Sequence, residues 1–179
     1  MKERQVKTTG CTQQTNNNPI ADAYFKEQVK NPGMIFCLNR QDDWNETEVF
    51  VRKVMKDFPG LHVLVYYAGG KMEPKPVATH LLVADNSDFN LFGKQKPLLK
   101  EWLNKHSFDL LLVFARKENK RCNTLVTSVR ARLKAGMVVS TKNLPVDISL
   151  GKPGEKMSYD LFYSELKKYL KQLNITLLS

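Results

Sequence analysis

Long hydrophobic runs are missing from this 179-residue chain: no stretch approaches the roughly 18–20 apolar residues that a membrane-spanning helix requires. The amino terminus, Met1 to Asn18, carries Lys2, Arg4 and Lys7 but no apolar segment after them, so it does not read as a secretory signal. Cysteine is scarce. Cys11, Cys37 and Cys122 are odd in number, far apart and without a C-x-x-C spacing, so neither a disulfide framework nor a zinc site is expected. A reduced, cytoplasmic protein is the expectation. Nine glycines and eight prolines exclude collagen-like and low-complexity classes.

Several chemical signatures are also absent. No G-x-G-x-x-G turn follows a strand, no G-x-x-x-x-G-K-[ST] loop occurs, and Ser128 has no G-x-S-x-G setting. His62, His80 and His106 are isolated in sequence and lack the i, i+4 partner of a helical metal site. Cys37 and Cys122 fall on apolar faces and read as buried packing. No pattern calls for a cofactor or a metal.

Positive charge is present in excess. The net charge is +10, from 28 Lys and Arg against 18 Asp and Glu. It is unevenly placed. Residues 1–93 balance at 11 of each sign, residues 94–134 hold 11 basic against 3 acidic residues, and residues 135–179 hold 6 against 4. A basic surface from residues 94–134 can mark an anionic partner.

Met1–Pro19 is polar and aperiodic, which suggests a disordered tail ahead of a single α/β domain over 20–179. A short helix is expected over Ile20–Lys30, stopped by Asn31-Pro32-Gly33. Strands are expected at Met34–Leu38, His62–Tyr67, Thr79–Ala84, Phe108–Phe114, Ala135–Val139 and Val146–Leu150. Helices are expected at Trp44–Phe58, from Pro97 to about His106, at Arg121–Leu133, and from Ser158 to Leu173 with Ser158 as N-cap. Short apolar strands alternating with helices predict a Rossmann-like three-layer sandwich with a mostly parallel sheet of about six strands.

In such sheets ligands bind at the carboxyl ends of the strands. Three loops there could carry chemistry: Asn39–Asp43, Ala115–Lys120 and Gly151–Ser158. Asp42 and Asp43 could serve as an acid–base pair or metal ligands, though such pairs more often begin a solvated helix. Arg116, Lys117, Lys120 and Arg121 follow the strongest strand and precede a helix, and Arg130, Arg132 and Lys134 lie at that helix's far end. Gly151, Lys152, Gly154 and Ser158 offer backbone N–H groups and charge that could hold an anion. The arginines straddle an apolar stripe and lack stacking aromatics, so a nucleic-acid interface is not specified.

Asp88-Phe-Asn-Leu-Phe-Gly93 with Lys96-Pro97, then Phe108-Asp-Leu-Leu-Leu112, Arg132-Leu-Lys-Ala-Gly136 and Val146-Asp147-Ile148 together resemble an uncharacterised bacterial family of domains of unknown function over about 34–173. The resemblance implies a fold and carries no activity with it. Two features depart from that family: the Thr/Gln/Asn-rich start, and Val113-Phe-Ala115 where an acidic residue usually follows the strand. The central segment is also similar to the N-terminal half of heptosyltransferase-type glycosyltransferases, which bind ligands between two domains; this chain has room for one. Three functions follow as expectations. The first is a non-catalytic binding or interaction module with an anionic ligand or acidic protein partner. The others are a small nucleotide-sugar- or anion-binding enzyme, and an RNA-associated protein.

Overall fold

Runs such as Met34-Ile-Phe-Cys-Leu38 are too short and too uniformly apolar for anything but strands buried on both faces. The computed structural model describes residues 28–39, 43–72, 78–117, 119–137, 144–151 and 157–177. The expected tail and most of the expected Ile20–Lys30 helix lie outside them.

Six strands form one sheet: β1 (Pro32–Leu38), β2 (His62–Tyr67), β3 (Leu81–Asp85), β4 (Ser107–Ala115), β5 (Arg130–Met137) and β6 (Ile148–Leu150). Four helices accompany them: α1 (Asp43–Asp57), α2 (Pro97–Lys105), α3 (Lys120–Ser128) and α4 (Tyr159–Gln172). The sheet order is β3-β2-β1-β4-β5-β6, and every pairing between these strands is parallel. This is the Rossmann order of an open doubly wound sheet.

Alternation along the strands sends side chains to two cores. Met34, Phe36 and Leu38 of β1 join Val63 and Val65 of β2 on the face covered by α1 and α4. Ile35 and Cys37 join Leu64 and Tyr66 on the face covered by α2 and α3. The first core is rich in rings: Phe36 stacks on Phe114 at 4.6 Å, and Phe50, Tyr159 and Phe162 meet Phe114 edge-on at 5.1–5.3 Å.

The element order is the expected one, with one correction at the boundary of α3 and β5. The Arg121–Leu133 helix ends at Ser128, and Arg130–Met137 is strand β5. Arg130-Ala-Arg-Leu-Lys-Ala135 alternates with period two, the strand signal, and Val129 and Leu133 fit a helical stripe only by coincidence. Pro32 and Gly33 open β1. Gly33 is required there because a Cβ would stand 2.7 Å from the Phe108 ring.

Candidate functional site

The chain leaves β1 toward β2 and leaves β4 toward β5, so the switch point where ligands bind in such sheets lies between the carboxyl ends of β1 and β4. Cys37 pairs with Ala115 in register there. Arg116 follows immediately. Its guanidinium reaches Glu46 Oε2 at 2.5 Å and Asp43 Oδ1 at 3.4 Å in the first turn of α1, and its Cζ lies 4.8 Å from the centre of the Tyr159 ring. Burial works against its charge, but the Glu46 hydrogen bond and the nearby Tyr159, Glu46 and Asp43 hold it more basic than an ordinary arginine. Tyr159, buried, is pushed up in pKa by desolvation, against the opposing pull of a Thr47 hydrogen bond and Arg116. Thr47, fully buried, donates its hydroxyl to the Asp43 carbonyl at 2.8 Å.

A second arginine is held on the other face. Arg121 donates to Asn86 Oδ1, which also accepts from the Tyr66 hydroxyl at 2.6 Å, and its Cζ lies 5.2 Å from the Phe89 ring centre. Burial raises the Tyr66 pKa, with Arg121 pulling the other way. Asp85, fully buried at the end of β3, ties this corner together: its carboxylate accepts from Ser87 N at 2.7 Å and Met72 N at 3.3 Å.

Of the residues expected to hold an anion, Lys117 lies exposed in the turn after β4 and Lys120 exposed at the first position of α3, with Arg121 beside it. Asn119 caps α3, its Oδ1 accepting from Arg121 N at 2.9 Å and Cys122 N at 3.0 Å. Gly151, at φ +106°, follows β6 at the same edge of the sheet, and Ser158 caps α4 by accepting from Leu161 N at 3.2 Å. Lys152 and Gly154 lie outside the described residues. Arg130 and Arg132 are elsewhere: Arg130 opens β5, opposite Ser107, so both sit at the amino edge, about 20 Å away along the strand. The basic stretch is therefore divided between two edges.

Arg116 lies within the Ala115–Lys120 loop that the sequence singles out, whereas Glu46 and Tyr159 are not among the expected site residues. The Asp42–Asp43 pair was the available signal, and Asp43 is engaged by Arg116 instead of standing as half of an acid pair; Asp42 lies outside the described residues. The histidines, isolated in sequence, gather at the amino edge, where the His62 and His106 rings are 4.2 Å apart and Trp102 lies 4.7 Å from His106. Among the described residues no group of three or more His, Cys, Asp or Glu is placed to hold a metal.

Cys37 and Cys122 are buried as expected, but they are joined in a disulfide, which corrects the expectation of unpaired thiols. Their 85-residue separation hides a meeting that only the β1–α3 packing creates. The expectation of a cytoplasmic location rested on unpaired cysteines, and the pairing removes that ground. Among the described residues no helix is long and apolar enough to cross a membrane. Two cavities lie away from the switch point. One of about 680 Å³ is lined by Asp57, Lys167, Lys171 and Ile175, and another of about 490 Å³ by Trp44, Met55, Val65 and Leu81.

The strand order and the charged switch point define a Rossmann-like α/β domain whose carboxyl edge combines arginines already engaged with exposed lysines. The chain belongs to a family of unknown function, DUF6913, whose model matches residues 2–173. No protein with a curated description matches it. Among solved structures it is similar to a glycosyl transferase family 9 protein from Veillonella parvula DSM 2008, at 18% identity and a TM-score of 0.47. That likeness covers 83% of this chain and 42% of the other, so the chain spans less than half of that protein's length.

Proposed function

We propose that the chain is a non-catalytic binding module that takes an anionic ligand or an acidic protein partner at the carboxyl edge of its sheet, through Lys117 and Lys120. One observation carries this reading. The two arginines at this edge are already engaged: Arg116 with the Asp43 and Glu46 carboxylates, and Arg121 with the neutral amide oxygen of Asn86. A general acid or base must be at liberty to exchange its proton with a substrate, and the Asp43 and Glu46 carboxylates are held by a guanidinium. Lys117 and Lys120 are exposed and have no ion-pair partner among the described residues. Two exposed ammonium groups three positions apart suit a phosphate or carboxylate by charge.

The strand order favours a second reading, a nucleotide-sugar- or anion-binding enzyme at the same edge, because nucleotides bind at such switch points. The RNA reading is weakened by the separation of Arg130 and Arg132 from Lys117 and Lys120, which breaks the continuous basic track that a nucleic acid follows.

Calorimetric titration with inorganic phosphate, nucleoside diphosphates, a nucleotide sugar and an acidic peptide separates these readings. Saturable binding that weakens at least about tenfold in Lys117→Ala/Lys120→Ala, with no turnover of the bound compound, is the expected result. Binding unchanged in the double variant, or no binding at millimolar ligand, overturns the proposal, and turnover of a nucleotide sugar moves it to the enzyme reading.

A further inference from the structure

We propose that the turn Asn90–Lys94 docks the protein on an anionic lipid surface, by inserting Leu91 and Phe92 while Lys94, Lys96 and Lys100 meet the headgroups. This goes beyond the carboxyl-edge binding reading and does not rest on it. Leu91 is 101% exposed and Phe92 88%, with Leu98 a short way along the chain at 65%. Exposure of this kind usually accompanies a slack loop, but here the backbone is pinned. Asn90 Oδ1 accepts from Phe92 N at 3.0 Å and Lys94 N at 2.9 Å. Asn90 N donates to Lys94 O at 2.9 Å, and Gly93 N donates to Asn90 O at 2.9 Å, with Gly93 at φ +76°. Below the tip, Phe89 and Gln95 form an antiparallel bridge, and Phe89 is buried against Tyr66 and Arg121. The fold therefore fixes two large apolar side chains in water without covering them.

Charge complementarity selects the occupant. Lys94, Lys96 and Lys100 are all exposed, and Lys96 and Lys100 are one helical turn apart, with Glu101 the exposed acid nearby. Apolar tips flanked by lysines suit the boundary between acyl chains and anionic headgroups. A protein partner would have to bury roughly 800 Å² on each side, and two side chains on a protruding tip supply a small part of that. A lipid surface needs no such shape match.

The test is co-sedimentation of the full chain with vesicles of phosphatidylcholine alone and of phosphatidylcholine with phosphatidylglycerol. Binding to the anionic vesicles is expected to weaken with salt, and to drop about fivefold for each of Lys94, Lys96 and Lys100 changed to Gln. Leu91→Ser/Phe92→Ser is expected to lower it by at least about tenfold while leaving the thermal unfolding curve unchanged, because neither side chain is packed. No binding to the anionic vesicles, equal binding to both compositions, or full binding by the Leu91→Ser/Phe92→Ser variant each overturns the proposal.

Discussion

His62 and His106 each start or precede a different strand, yet their rings face each other at 4.2 Å. Burial lowers the pKa of both below the ordinary 6.5, and each is further lowered by neighbouring positive groups: His80 and Lys105 for His62, and His62 and Lys105 for His106. The unfolded chain therefore binds these protons more readily than the folded one. Their contribution to stability is full above about pH 6.5 and is lost as pH falls below it toward the lower folded values. Melting temperature should drop by about 2–4 °C more in the wild type than in His106→Gln between pH 7 and pH 5. A parallel decline in the two proteins would exclude the pair as the cause. Asp57, whose pKa is lowered from 3.8 by Lys167 and Tyr163 against its own burial, acts below that window. At this scale the sequence shows little of the carboxyl edge. The residue types were visible, but Arg116 meeting Glu46 and Asp43 joins positions some 70 residues apart, and no local pattern encodes that distance.

Single elements were more legible, because their signals are local. His62–Tyr67 matched its strand residue for residue, and Ser158 caps α4 as its position before an acidic first turn indicates. The α3–β5 boundary was missed because Val129 and Leu133 satisfy a 3.6-residue period while Arg130, Arg132 and Lys134 satisfy a period of two; β4 and β6, which pair with the segment, decide between them. The same helix offers a direct check. Asn119 satisfies two otherwise unpaired N–H groups at the start of α3. Asn119→Ala should cost about 1 kcal/mol in urea denaturation, and should also weaken any anion held by Lys117 and Lys120 by loosening the turn that presents them. Loss of stability with unchanged anion binding would separate the cap from the site.

For the whole molecule, alternation of strand and helix was enough to foresee a parallel sheet, since parallel neighbours need a crossover between them. Strand order and the disulfide were not foreseen, because both are long-range pairings. The disulfide closes a loop across 85 positions, and in the chain-entropy account a loop of that size stabilises by about 4.6 kcal/mol. Reduction, or Cys122→Ser, should lower the urea midpoint accordingly; an identical midpoint with and without reductant would show that the bond contributes nothing. The same bond has a topological consequence. Between Cys37 and Cys122 lie α1, β2, β3, α2 and β4, so half of the ten described strands and helices belong to one covalent ring. A protease that cuts once anywhere inside that ring produces no separate pieces. The nicked protein keeps its mass until a reductant opens the bond, and a digest run with and without reductant would map which of its loops are accessible.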